Sequence, residues 1–188
     1  MTKRQKKRFI SLLLAVVIGL AGYYLNQPST PPGVLGSISP GYYRITEFAD
    51  GDTISVDMNG KSERIRLIGV DTPETHDPRK PVQCFGQAAS DFTKKLIGDR
   101  PVRLESDDQS QNRDRYDRLL RYVYLPDGKL VQAEIIREGY GFAYLSFPFS
   151  KSAYFAQLHA EARQQSRGLW ASCSPVVNAN GGFTSNAE

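Results

Sequence analysis

From Tyr42 onward the apolar residues fall into short runs rich in β-branched and aromatic side chains, the pattern of strands. Tyr43 to Phe48, Thr53 to Met58 and Arg64 to Val70 form a first set, and Val102 to Glu105 and Leu119 to Leu125 a second. Between and after them the spacing changes to that of helices. Gln87 to Ile97 places Ala88, Phe92, Leu96 and Ile97 near one face before Gly98 stops it, and Leu130 to Glu138 and Ser152 to about Gln165 follow. Asn59-Gly60 joins two of the strands, and both residues tolerate the positive φ that a type I′ hairpin turn demands. If Met58 and Lys61 close that turn, Thr53 lies opposite Arg66, with Asp52 beside it. Asp71 lies further along and needs a bend to approach Asp52, for which Gly69 is the candidate. Five short strands with helices inserted between and after them predict an α+β domain built on a small closed or partly open barrel.

The pattern before Tyr42 is different. Phe9 to Leu25 is an uncharged run of 17 residues behind a basic start. As a helix it would span roughly 25 Å, the short end for a bilayer. Tyr23 and Tyr24 suit the far interface of a retained anchor, whereas Gly19-Leu20-Ala21 offers the small residues of a signal-peptide cleavage site. Both readings place the rest of the chain outside the cytosol. Residues 26–40 carry Pro28, Pro31, Pro32 and Pro40 among Ser, Thr and Gly, and read as an extended linker. The domain is expected over 41–173. The tail, 174–188, has little to bury and is expected to be disordered.

Composition supports a globular domain: 40% hydrophobic against 23% charged residues excludes a disordered chain. The formal charge of +4 suggests a polyanion partner, but Lys3, Arg4, Lys6, Lys7 and Arg8 supply five of the positive charges, leaving 19 basic against 20 acidic residues. Attraction to nucleic acid must therefore come from local Arg and Lys groups or from a bound cation.

Candidate chemistry is concentrated in a few places. Asp50-Gly51-Asp52-Thr53 and Val70-Asp71-Thr72-Pro73-Glu74-Thr75 bring four carboxylates into strand and turn contexts, with Arg66 before the second run and Arg118 downstream. Hard carboxylate oxygens suit Ca2+, a further carboxylate can accept a proton from water, and guanidinium forks can neutralise charge on a phosphate. Taken singly, each has an ordinary structural explanation. Asp-Gly is a common turn, Pro and Glu favour a first helical turn, and Arg on a strand is a usual cross-strand partner. Their joint presence points to metal-assisted phosphodiester cleavage. His76 and His159 are not expected to bind metal.

From about Gly41 to Trp170 the chain resembles the thermonuclease family, whose type member is staphylococcal nuclease. The resemblance rests on five runs in the family's order: Asp50-Gly51-Asp52-Thr53, Arg66-Leu67 leading into Val70-Asp71-Thr72-Pro73-Glu74-Thr75, Phe85-Gly86-Gln87-Ala88-Ala89, Asp114-Arg115-Tyr116-Asp117-Arg118, and Gly168-Leu169-Trp170. It implies a five-stranded OB-fold barrel with three α-helices, Ca2+ dependence, and hydrolysis of DNA and RNA with low sequence specificity to 3′-phosphorylated products. Carried over residue by residue, Asp52 and Asp71 would ligate Ca2+ together with the Thr72 carbonyl, and Asp50 would support the metal through water. Glu74 would be the general base or orient the attacking water, and Arg66 and Arg118 would hold the scissile phosphate. Arg115, Tyr116 and Tyr144 match groups that contact the neighbouring phosphate and stack on the base, with a one-residue gap needed at Tyr144. A monomer is expected.

Asp117 departs from the family, which usually has Gly there. Asp tolerates positive φ better than most residues, but its carboxylate could pair with Arg118 and oppose substrate. Cys84 and Cys173, the only cysteines, would close a loop of about 90 residues if bridged, which export permits; two separate buried thiols are the alternative. Two other functions compete with catalysis: an OB barrel that binds single-stranded nucleic acid without cutting it, and a surface protein that uses the scaffold alone.

Overall fold

The computed structural model describes residues 40–75, 82–178 and 182–187. The predicted anchor or signal segment, the linker up to Ser39, and His76 lie outside the described residues. Among the described residues no helix is long and apolar enough to cross a membrane.

Asn59 and Gly60 adopt φ of 56° and 83° and join strands β2 (Thr53–Met58) and β3 (Lys61–Leu67) in the expected register, Met58 opposite Lys61 and Thr53 opposite Arg66. The period of two along this hairpin sends Ile54, Val56, Ile65 and Leu67 into the core, each at most 1% exposed. Strand β1 (Tyr42–Phe48) pairs with β2 through a bulge between Ile45 and Glu47. The extra residue sharpens the curvature a small barrel needs.

The third predicted strand is interrupted. After Leu67 the chain turns at Ile68 and Gly69, and β4 (Val70–Asp71) leaves the barrel to pair with β7 (Phe142–Ala143). Gly69 has φ of 72°, and a Cβ there would stand 2.6 Å from the Phe149 ring. Glycine is thus required both for the backbone conformation and for the close approach. This is the bend that redirects Asp71.

Strands β5 (Val102–Glu105) and β6 (Leu119–Tyr124) complete a closed barrel in the order β1-β2-β3-β6-β5, with β3 parallel to β6 and the other pairs antiparallel. With its three longer helices this is the OB-fold architecture. They are α1 (Gly86–Ile97), α2 (Val131–Arg137) and α3 (Ser152–Gln164); a short α4 (Leu169–Ser172) follows. The buried stripe of α1 runs through Ala89, Thr93 and Ile97, with Phe92 and Leu96 half-buried beside it. Thr93 interrupts an apolar pattern, and its hydroxyl is satisfied by donating to the Gly51 carbonyl at 2.7 Å. On α2, fully buried Gln132 accepts from Val123 N and donates to Arg121 O, pairing backbone groups of β6.

The tail expected to be disordered is folded among its described residues. Strand β8 (Val176–Val177) pairs with β9 (Phe183–Thr184), and Phe183 packs its ring 5.9 Å from Phe142, 5.3 Å from Trp170 and 5.1 Å from His159. Phe142, His159 and Phe183 surround the indole, whose buried Nε1 has no hydrogen-bond partner among the described residues. Cys173, at the root of this tail, is disulfide-bonded to Cys84. A lone Phe among Gly, Asn and Ser carries no periodicity, so only its tertiary partners reveal that it has something to bury.

Candidate functional site

The turn between β1 and β2 holds the first carboxylates. Ala49 and Asp50 amides both donate to the Thr53 carbonyl, and Asp50 Oδ1 accepts the Asp52 amide at 3.0 Å. Gly51 is forced by space, since a Cβ there would stand 2.8 Å from the Thr72 side chain. That tight contact brings the turn onto the end of β4.

Asp52, only 6% exposed, is the centre of the network. Its Oδ2 accepts from the Thr72 amide at 2.9 Å and from the Thr72 hydroxyl at 3.2 Å, and lies 3.2 Å from Arg66 Nη2. The same Nη2 donates to Asp71 Oδ1 at 3.0 Å, so one guanidinium nitrogen stands between the two carboxylates. Arg66 Nη1 donates to the Leu67 and Val70 carbonyls, which pins the bend at Ile68 and Gly69. Burial works against the charge on Arg66, but Asp52, Asp71 and Asp50 more than offset it and raise its pKa. For Asp50 the compensation, from the Asp52 amide and Arg66, is outweighed. Burial, followed by the neighbouring Asp52 charge, pushes its carboxyl up to about 7.

The donors therefore comprise hard oxygens, with three carboxylates around one guanidinium that can neutralise only one of them. That set fits a hard dication such as Ca2+. Among the described residues no three His, Cys, Asp or Glu side chains form a ready-made cation site, so carbonyl or water oxygens would have to complete the shell.

Arg118 is tied in from the other side. Its Nη1 donates to Thr53 Oγ1 at 3.2 Å, and Thr53 Oγ1 donates to Asp52 Oδ1 at 3.1 Å. Its Nε and Nη2 both meet Asp114 Oδ2 at 2.7 Å. Asp114 also accepts the amides of Tyr116 and Arg118, and its own carbonyl accepts the Asp117 amide. Residues 114–118 thus form a tight turn ending in Asp117 at φ of 62°, a position of the type that Gly usually fills at a hairpin bulge. The carboxylate of Asp117 does not pair with Arg118, contrary to the concern raised from sequence. It lies 3.5 Å from Arg113 Nε, while Arg113 Nη1 holds Glu63 and the Asp117 carbonyl.

Glu74 follows two residues after Thr72. Its amide donates to Gln83 Oε1 at 2.8 Å, its carbonyl accepts the Gln83 amide at 3.0 Å, and its Oε1 accepts the Thr75 amide at 2.9 Å. Tyr116 is exposed, with the Arg115 and Arg118 guanidinium carbons 4.9 Å and 5.3 Å from its ring centroid. Tyr144 donates its amide to the Gly69 carbonyl, beside the same bend, and its ring meets Phe147 edge-on at 4.9 Å. His159 stands outside this network; its Nδ1 accepts the Ala143 amide at 3.1 Å, and burial, then Arg163, lowers its pKa.

The family model described as staphylococcal nuclease homologue matches residues 64–172. The chain belongs to the staphylococcal nuclease family. It is 37% identical over 161 residues to a thermonuclease of Staphylococcus intermedius, covering 85% of this chain and 94% of that protein. Endonuclease YncB of Bacillus subtilis (strain 168) is 41% identical over 133 residues, covering 69% of this chain and 61% of its own. An uncharacterized endonuclease of Escherichia coli O157:H7 is 36% identical over 133 residues, covering 71% and 79% respectively. Three residues of this staphylococcal nuclease-family site were not singled out from sequence. Thr53 couples Asp52 to Arg118, Asp114 holds Arg118 in a fork, and Gln83 grips the Glu74 backbone. Thr53 and Asp114 lay inside quoted motifs, so their nearness to charged partners was a usable signal; Gln83 offered none.

Proposed function

We propose that the chain is an exported, Ca2+-dependent nuclease that hydrolyses DNA, RNA or both with low sequence specificity, leaving 3′-phosphorylated ends. The coarse part of this reading, a nuclease acting on nucleic acid, is supported by relatives that are themselves thermonucleases and endonucleases. The observation that carries the finer part is the junction at Arg66 Nη2, where two carboxylates converge on one cation while a third, Asp50, is pushed up to about 7. Asp52, Asp71 and the Thr72 carbonyl would hold the Ca2+. When bound, the ion offsets the surplus carboxylate charge and polarises a phosphate oxygen.

The residues of the chain then divide the remaining work. Arg66 Nη2 would donate to a phosphate oxygen, while Nη1 stays on the bend. Arg118 turns its fork from Asp114 toward the same phosphate. Glu74 accepts a proton from the attacking water, whose oxygen bonds to phosphorus as the bond to the 5′ oxygen breaks. That oxygen takes its proton from solvent water as it leaves, Glu74 returns its own proton to solvent, and the phosphate remains on the 3′ side. Charge accumulates on the equatorial oxygens during this step, where two guanidinium groups strengthen their hydrogen bonds. Tyr116 and Tyr144 offer rings for neighbouring bases. The protein is read as a monomer, exported either on a retained anchor or behind a cleaved signal.

The test uses the full-length protein with labelled single-stranded DNA and RNA, with Ca2+ and with chelator, reading binding and product ends together. Glu74→Gln keeps size and hydrogen bonding but removes the base, so turnover should fall at least about 100-fold while binding survives. Arg118→Ala should weaken both affinity and turnover. Tight binding without cutting in Ca2+ would replace this reading with that of a binding module.

A further inference from the structure

The C-terminal tail reaches the segment that holds Glu74. Gln83 pairs with Ala187 in an antiparallel bridge, the Cys84 amide donates to the Asn186 carbonyl at 2.7 Å, and the Ser185 hydroxyl donates to the Cys84 carbonyl at 2.9 Å. Gln83 Nε2 donates to Thr184 Oγ1 at 3.1 Å while its Oε1 accepts the Glu74 amide at 2.8 Å. One amide side chain therefore links the tail to Glu74. The tail has its own anchors: Phe183 in the aromatic cluster, the Ser174 amide on Asn186 Oδ1, and the Cys84 to Cys173 disulfide below it.

We infer that Gln83 is a positioning residue for Glu74 and that the folded tail, through Thr184, holds Gln83 in place. A planar amide with both ends engaged has one orientation. Its Oε1 is presented to Glu74 because its Nε2 is held by Thr184. Releasing Nε2 lets the amide rotate, and the Glu74 amide loses its side-chain acceptor. Displacing a reacting group by about 1 Å costs up to roughly 100-fold in rate. The tail is thus part of the active-site support. This inference rests on Glu74 acting on the attacking water.

The experiment uses full-length variants, compared by turnover and by peptide-resolved hydrogen exchange over residues 70–75. Gln83→Ala should lower kcat by roughly tenfold with KM nearly unchanged. Thr184→Val removes only the acceptor for Nε2, so it should lower kcat in the same direction by less and add nothing in the Gln83→Ala background. In the Glu74→Gln background neither change should lower kcat further. Both should speed exchange at 70–75 while thermal midpoints stay close to wild type; a variant that loses its fold is replaced by Gln83→Glu, which keeps the acceptor but not the donor and should match Thr184→Val. Losses that multiply with Glu74→Gln, or that appear in KM alone, would overturn the inference. Exchange that is unchanged in Thr184→Val would do the same. If wild type does not cut, the nuclease reading fails, while the exchange result still decides whether the tail supports this segment.

Discussion

Asp52 and Asp107 are almost equally buried, at 6% and 7% exposure, yet their surroundings are opposite in kind. Asp107, just after β5, receives four donors, about one for each acceptor site of a carboxylate. Its Oδ2 accepts from the Tyr122 hydroxyl at 2.7 Å, the Ser150 amide at 2.8 Å and the Ser150 hydroxyl, and its Oδ1 accepts the Gln109 amide. Burial alone would raise its pKa, but the bonds from Ser150 and Tyr122 bring it to about 2. Asp52 is bonded as fully, by the Thr72 amide and hydroxyl, the Thr53 hydroxyl and Arg66, but it shares its arginine with other carboxylates. Asp50, Asp52 and Asp71 share one part-buried arginine, and the cost of this crowding appears on Asp50. Neutral donors around Asp107 mark a carboxylate that holds the fold, whereas carboxylates crowded on one guanidinium leave surplus negative charge, the feature on which the proposed cation site rests.

The largest expected difference between the two regions is in metal dependence. Asp71→Asn should raise the Ca2+ concentration for half-maximal cleavage by at least roughly tenfold, because on the proposed reading it removes one of two direct carboxylate ligands. A titration of activity against free Ca2+ measures this, and cleavage that persists in excess chelator would defeat the assignment. Asp107→Asn should leave the Ca2+ titration unchanged but lower folding stability by about 2 kcal/mol, the scale of hydrogen bonds to a charged group. A Ca2+ shift in that variant would show that the two carboxylates do not differ in metal dependence.

The pH dependences should also oppose one another. Asp107 sits near 2 when folded against about 3.9 unfolded, so its stabilisation is complete above the unfolded value and is lost as pH falls through 2. For Asp50 the folded value of about 7 lies above the unfolded one, so its contribution is present below about pH 4 and lost as pH rises through 7. Relative to Asp50→Asn, wild type without Ca2+ should therefore lose stability from pH 4 to 8 in denaturant melts, and Ca2+ should reduce that slope. Parallel stability profiles for the two proteins would show that Asp50 is not crowded in solution.

Much of this was legible in the chain. The hairpin turn at Asn59-Gly60 sets the pairing of Thr53 with Arg66, because positive φ at two successive residues admits one turn geometry. Strand runs and helix spacing predicted the barrel and its helices to within a few residues, since period and turn chemistry are local properties. Residue types and their order announced the carboxylate and arginine set. The fate of β4 was only half visible: Gly69 marked a bend, but its partner strand β7 lies more than 70 residues away and begins with a Phe that reads as generic core. Buried side chains that satisfy distant backbone groups, such as Thr93 on Gly51 and Gln132 on β6, look like surface residues in a linear pattern.

What the sequence determined by itself is the inventory and the short-range geometry: which acids and arginines exist, where the chain turns, and which faces are apolar. The tertiary structure alone decided how the charges are shared. It set Arg66 between Asp52 and Asp71, turned Asp117 toward Arg113 rather than Arg118, and gave Phe183 an aromatic cluster that folds the tail against the support of Glu74. The physical reason is range. Backbone preferences act over a few residues, while hydrogen bonds, ion pairs and buried ring contacts depend on distances that only closure of the barrel and packing of its helices bring below about 6 Å.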